Sequence, residues 1–216
     1  MIEIVNIFTY LLIFLLLGSF PISLCSIKKI HNSKNSFFDL LSTNLIVNLC
    51  LIFLISFTNI NQKSYFILLI VFSLLFNFYY LTKNKNYFDS LINKKFFFFI
   101  IINLIIFIYL SKNPTLAWDG LQNWYFKAQN FFYDYNFFDL KNVNNGLNYY
   151  PHFGSFLWGF FWKNSFLQYE YFGRLIYVFI FVLSIFSLCD LLNKTNFIKN
   201  ILCLLYTSDA ADEEDS

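Results

Sequence analysis

Five apolar stretches, each close to the length that crosses a lipid bilayer, constrain this chain more than any other feature. They cover residues 4–27, 37–57, 64–82, 92–110 and 167–191. A helix of about 20 apolar residues matches the thickness of the hydrocarbon core of a membrane. Of the 216 residues, 58% are hydrophobic and only 13% are charged, which is too apolar for a water-soluble domain of this size. We therefore predict an all-α, polytopic transmembrane protein with about five spans.

The first apolar stretch resembles a secretory signal peptide in length, but its flanks do not fit one. The residues before it include Glu3 and no lysine or arginine, and no small-residue cleavage motif follows it. A signal peptide needs a basic start and such a motif. We predict that residues 4–27 form a membrane helix that stays in the protein.

The lysines between the apolar stretches predict the orientation of the spans. Nine lysines follow the first, third and fifth stretches, if Lys94 and Lys95 at the start of the fourth are included, whereas the connection after the second holds only Lys63. Cytoplasmic loops carry the excess of basic residues in membrane proteins. The N-terminus and the long loop 111–166 are therefore expected on the extracytoplasmic side.

The C-terminal tail differs in composition from the rest of the chain. The run from Cys203 to Asp212 looks like the translation of a sequencing adapter, and it is followed by three further acids and a serine. We expect residues 1–202 to be the N-terminal part of one transmembrane domain and 203–216 not to be native. The alternative is a genuine acidic tail.

The region 117–174 contains all four tryptophans and separates the fourth and fifth apolar stretches. Apolar residues recur from Leu121 to Phe132 with helical spacing, and a second, mostly aromatic segment follows Pro151. Both segments are too short to span a bilayer, so we predict two interfacial (juxtamembrane) helices within the extracytoplasmic loop. Tryptophan is common at membrane–water boundaries, which accounts for these residues without a catalytic role.

Asp119 is the candidate catalytic residue because it is a lone carboxylate beside Trp118, at the expected start of the first short helix. A carboxylate at the membrane surface can act as a general base on an acceptor hydroxyl. The same residue also suits a helix N-cap, with Gln122 three positions later completing a pattern close to a capping box. The two roles are compatible.

This region contains three short sequence motifs in a characteristic order. They are Trp118-Asp119-Gly120 with Trp124 and Lys127-Ala128, then Tyr150-Pro151, then Glu170 with Gly173-Arg174-Leu175. Their order and spacing resemble membrane glycosyltransferases of the GT-C type that use polyprenyl-phosphate sugars, such as aminoarabinose transferases and protein O-mannosyltransferases. The chain departs from the common pattern in having four apolar stretches before the acidic motif, and in having Gly120 where many members carry a second acid.

The resemblance implies a sugar transferase in a bacterial inner membrane. It also implies that the reaction inverts the anomeric centre. Its partners would be a polyprenyl-phosphate-linked sugar, the lipid bilayer and an acceptor that is a glycan, a lipid or a protein, with no nucleic acid. It implies that Asp119 is the base and that Lys127 or Arg174 holds the departing phosphate. The remaining predicted substrate-binding residues are Trp118, Trp124, Tyr150 and His152.

Each of these roles has a structural alternative. Lys127 can extend its charged end to the membrane surface, Arg174 can pair with Glu170 one helical turn earlier, and His152 can be an ordinary loop histidine. His31 is expected on the opposite face, and the four cysteines lack CxxC spacing, so no cofactor and no metal cluster are indicated. A transporter or flippase component and an O-antigen-polymerase-like protein are the alternative functions.

Overall fold

The computed structural model describes residues 2–19, 37–83, 94–118, 120–142, 151–192 and 201. All regular elements within these ranges are helical, which confirms the predicted all-α fold for this part of the chain. The α-helices in chain order are α1 (Ile2–Ser19), α2 (Phe37–Leu54), α3 (Gln62–Lys83), α4 (Lys94–Lys112), α5 (Phe126–Phe132), α6 (Phe153–Lys163) and α7 (Tyr171–Leu192). A π-helical turn, Gly120–Tyr125, leads directly into α5.

Four of the five predicted spans form helices that are long and apolar enough to cross a bilayer. These segments are Phe37–Phe57, Gln62–Tyr79, Lys94–Lys112 and Tyr171–Asp190. The first predicted span, 4–27, is helical as far as Ser19, and its remaining residues lie outside the described part of the chain. Apolar side chains on all faces favour helices here because a helix satisfies its own backbone hydrogen bonds where water is absent.

Helices α1 and α7 form the centre of the bundle. Helix α1 packs against α2, α3, α4 and α7, and α7 also packs against α2, α4 and α6. Phe14 of α1 is fully buried, and its ring meets Phe107 and Phe161 edge-on and Phe179 at a tilt. Such aromatic pairs contribute about 0.5–1.5 kcal/mol beyond the area they bury. The core is therefore built largely from interlocking phenylalanines.

Helices α3 and α4 present large apolar side chains to the outside of the bundle. In a water-soluble protein an apolar surface of this extent would be unusual, whereas lipid tails cover it at no cost. The exposed residues are Ile67, Leu68, Val71, Phe72, Leu74, Leu75, Phe78 and Tyr79 on α3, and Phe97, Ile101, Ile105 and Tyr109 on α4.

Asparagines in membrane spans commonly form hydrogen bonds between helices, but only some of those described here do so. Asn48 does so, because its Nδ2 donates to Leu17 O on α1 at 2.8 Å. Asn77 and Asn103 instead donate to Ser73 O and Phe99 O, four residues earlier in their own helices. An intrahelical carbonyl is the nearest acceptor to such a side chain, and it satisfies the amide without a partner helix.

Contacts at the two ends of the bundle show which connections share a face. Tyr171 at the start of α7 donates a hydrogen bond to Glu3, and Phe137 N donates to Ser56 O at 2.6 Å. At the opposite end, Lys95 and Asp190 form an ion pair at 2.6 Å. These contacts place the N-terminus, the turn after α2 and the region between α4 and α7 at the same end of the bundle. Successive connections therefore alternate between its two ends, as the distribution of the lysines predicts.

Candidate functional site

Two glycines allow α5, α6 and α7 to pack with their backbones in close approach. A Cβ atom at Gly159 would lie 2.4 Å from the carbonyl oxygen of Ala128 on α5. A Cβ atom at Gly173 would lie 2.2 Å from the carbonyl oxygen of Trp158 on α6. Both distances are far below van der Waals contact, so only glycine fits these positions. Lys127 is next to Ala128 on α5 and Arg174 is next to Gly173 on α7, so both cations lie beside these close contacts.

Helix α6 is enclosed by other helices along most of its length. Its residues from Ser155 to Trp162 are all buried. Tyr10 of α1 donates to Phe161 O, and Phe66 of α3 packs edge-on against Phe160. A short apolar helix is thus present after Pro151, and protein covers it. Its position relative to a membrane surface, and that of α5, stays a prediction.

Lys127 is a fully buried cation on α5. Its Nζ lies 5.8 Å from the centroid of the Trp124 ring, one turn earlier, in the arrangement of a cation–π contact. Burial lowers the pKa of the Lys127 ammonium because the charged form loses hydration. The extension of this lysine to the open surface, which we considered from the sequence, is not observed.

His152 lies at the start of α6, close enough to Lys127 for an electrostatic interaction with its charge. Burial, and secondarily the positive charge of Lys127, lower the pKa of His152, so that its imidazole is neutral at pH 7. The ring meets Phe137 edge-on with 5.0 Å between the centroids. Its Nδ1 is buried and has no hydrogen-bond partner among the described residues. A neutral imidazole offers one nitrogen as an acceptor, which suits a ligand hydroxyl.

Arg174 is held by protein groups on several sides. Its Nη2 donates to Glu170 Oε2 at 3.0 Å and to Pro114 O at 2.7 Å, and its Nε lies 3.0 Å from Glu170 Oε1. The guanidinium also lies 5.8 Å from the Trp158 ring centroid. The pairing with Glu170 one turn earlier, which was one of our two interpretations, is therefore confirmed. Arg174 ties the start of α7 to the backbone that enters the Trp118 motif.

Glu170, Trp158 and Tyr177 complete this cluster, although sequence reasoning did not place them in the site. Burial raises the pKa of the Glu170 carboxyl, and the charge of Arg174 opposes that effect. Tyr177 donates a hydrogen bond to Gly154 O at 2.6 Å and so fixes the start of α6 on α7. The Glu170–Arg174 spacing was the one signal in the sequence that pointed to this cluster.

The predicted site residues thus fall into four groups. Trp124, Lys127 and His152 lie near one another, whereas Arg174 lies with Glu170. Trp118 is 72% exposed and packs little against the rest of the protein. Asp119 and Tyr150 lie outside the described residues, so their predicted roles are untested.

Within the described ranges, no group of three or more His, Cys, Asp or Glu side chains is placed to hold a metal ion. No known protein family matches the chain, and no curated protein or solved structure shows significant similarity to it.

Proposed function

We propose that the chain belongs to an integral-membrane glycosyltransferase of the GT-C type. It would transfer a sugar from a polyprenyl-phosphate donor to an acceptor glycan, lipid or protein on the extracytoplasmic face of a bacterial inner membrane. The observation that carries the proposal is the buried Lys127 beside Trp124 and His152, on short helices packed between long apolar ones. Lys127 follows the candidate base Asp119 by eight residues in the sequence.

The proposed reaction is a single displacement at the anomeric carbon of the donor sugar. Asp119 takes the proton of the acceptor hydroxyl, whose oxygen bonds to the anomeric carbon as the bond to the phosphate oxygen breaks. The leaving group is the polyprenyl-phosphate anion, which needs a cation but no proton. One displacement inverts the anomeric centre.

Lys127 is the better candidate than Arg174 for holding that phosphate. Cations in sites that exclude water stabilise developing negative charge more strongly than they do in bulk water. Lys127 lies on the short helix that follows Asp119 in the sequence, which is why we prefer it. Arg174 binds Glu170 and Pro114 O, so we assign it a positioning role for the segment that leads to Trp118. His152, with its neutral ring, would accept a hydrogen bond from a sugar hydroxyl.

Lys127→Met tests the assignment of the phosphate-binding cation. Methionine keeps an unbranched apolar stem and removes the charge, so labelling by a photoactivatable polyprenyl phosphate is expected to fall about tenfold or more. Lys163→Met is the matched control, because Lys163 is another largely buried lysine, at the end of α6, where it forms an ion pair with Asp134. Labelling that stays at the wild-type level in Lys127→Met would refute the assignment.

The orientation can be tested with cysteines at Asn144 and Asn32, in a background whose four native cysteines are replaced by alanine. A membrane-impermeant thiol reagent is expected to label Asn144→Cys from the extracytoplasmic side and Asn32→Cys only after the membrane is opened. This follows from the distribution of the lysines. Labelling of both positions from the same side would overturn the topology that the proposed reaction needs.

A further inference from the structure

A polar cavity of about 280 Å³ lies between the turn that follows α2 and the loop that follows α5. We call it the loop cavity. Its lining includes four side-chain amides and two carboxylates, together with Ser56 and Tyr135. The amides and carboxylates are those of Asn59, Asn61, Gln62, Asn136, Asp134 and Asp139.

The walls of the loop cavity are held together by their own hydrogen bonds. Asn136 Nδ2 donates to Asn59 Oδ1 at 3.0 Å, which joins the two loops directly. Asn136 Oδ1 accepts from the backbone N–H of Asp139 at 2.9 Å, and Asp139 Oδ2 accepts from Asn136 N at 2.9 Å. Asn61 caps the start of α3 by accepting from Lys63 N at 2.9 Å. The cavity is therefore formed before any ligand enters.

Two residues that line the cavity carry buried polar atoms in need of a partner. Ser56 is 2% exposed and Gln62 is 5% exposed. Gln62 Nε2 donates to Phe131 O at 3.1 Å, but neither Gln62 Oε1 nor Ser56 Oγ has a hydrogen-bond partner among the described residues. Buried polar atoms in native proteins are nearly always paired, so each of these two oxygens would gain a partner from a ligand hydroxyl or a water that reached it.

The charges around the cavity select among polar ligands. Among the described residues that line the cavity, two are carboxylates and none is a lysine or arginine, which disfavours an anion. Asp134 pairs with Lys163, and Asp139 accepts a backbone N–H, so both acids already have partners in the protein. Amides and a tyrosine offer both donors and acceptors at fixed positions, as a neutral ligand with several hydroxyls requires.

We propose that the loop cavity binds one sugar ring of a neutral saccharide. Its volume lies just below the range of about 300–1,000 Å³ for small-molecule sites, which suits a single ring. Tyr135 is 44% exposed and lines the cavity, where its face can pack on the apolar face of a sugar.

The cavity also adjoins the candidate site. Gln62 binds the carbonyl of Phe131, one helical turn beyond Lys127, and Phe137 packs on His152. This proximity makes the sugar of the acceptor the natural occupant. That last assignment rests on the proposed function, whereas sugar binding by the cavity does not.

The test measures the binding of free methyl glycosides to the full chain in lipid nanodiscs by saturation-transfer NMR. The probes are methyl glycosides of neutral hexoses, pentoses and N-acetylhexosamines. At least one is expected to bind, and Tyr135→Ala is expected to weaken it by about tenfold. Tyr169→Ala is the matched control, because Tyr169 is 51% exposed but does not line the cavity.

Ser56→Ala provides a second variant that should not impair folding, because it removes a buried hydroxyl without a partner among the described residues. We expect sugar binding about fivefold weaker than in the wild type. Its control, Ser73→Ala, removes another buried serine hydroxyl, one that binds Leu69 O within α3. The control is expected to bind sugar as the wild type does.

Absence of binding by every probe, or equal binding by wild type, Tyr135→Ala and Ser56→Ala, would overturn the proposal. Because the assay involves no donor and no transfer, its result is independent of the proposed function. Sugar binding by the chain, together with a correctly inserted parent protein that transfers no sugar, would refute only the proposed function. Transferase activity without sugar binding in the cavity would refute only this inference.

Discussion

In the protein expressed from the native gene, Asp119→Asn is expected to lower the rate of sugar transfer by at least about 100-fold. Folding and membrane insertion are expected to stay intact. Asparagine removes the charge and basicity that proton abstraction needs. It keeps a side-chain oxygen that can still cap a helix, since Asn and Asp are similar N-caps. The measurements are the rate of sugar incorporation into acceptor and the amount of protein in the membrane.

Asp119→Ala separates catalysis from capping. It is expected to lose transfer to the same extent and, in addition, about 0.5–2 kcal/mol of stability from the missing cap. If Asp119→Asn instead transfers sugar at the parental rate, Asp119 is a cap and not the base.

The second large effect is expected from alanine at the two glycines that bring α5, α6 and α7 together. In Gly159→Ala and Gly173→Ala the new methyl group would meet backbone carbonyls at 2.4 Å and 2.2 Å, so the helices must separate. Overpacking of this kind costs about 1–3 kcal/mol or more. The better helix propensity of alanine recovers about 1 kcal/mol at most.

Gly154→Ala is the matched control on α6. A Cβ atom there would meet only Tyr177 Oη at 3.5 Å, an ordinary contact, so stability should be unchanged or slightly higher. Thermal unfolding in detergent measures the difference among the three variants. If all three unfold at the same temperature, the close packing that positions Lys127 and Arg174 is not as described.

The long helices were predictable because uninterrupted apolar sequence of membrane length has few alternatives. Lipid offers no hydrogen bonds, so residues such as 37–57 and 94–110 must form helices. The pairing of Glu170 with Arg174 was also predictable, since Arg174 follows Glu170 by four positions, about one helical turn. Both inferences use local sequence alone.

The arrangement of the candidate site depends on contacts between distant parts of the chain. The length of the segment after Pro151 predicts the short helix α6. It does not predict that five other helices cover α6. The attachment of Arg174 to Pro114 O joins positions 60 residues apart in the sequence. The loop cavity likewise joins the turn after α2 to the loop after α5, and no local pattern announces it.

The hydrogen-bond partners of the asparagines in the spans also depend on contacts between distant parts of the chain. Their presence in apolar helices predicts that their amides find partners, but not which ones. Asn48 reaches a neighbouring helix because α1 passes close to it, whereas Asn103 binds its own helix. Only the packing distinguishes these outcomes.

The proposed function requires that this protein consume a polyprenyl-phosphate sugar. The most direct measurement is the release of polyprenyl phosphate from a radiolabelled panel of such donors, in membranes that contain the expressed parent gene or its Asp119→Asn variant. We predict release from at least one donor, with transfer of its sugar to an acceptor, and a rate at least about 100-fold lower in the variant. A correctly inserted wild-type protein that releases polyprenyl phosphate from none of the donors, or at the same rate as the variant, would contradict the account.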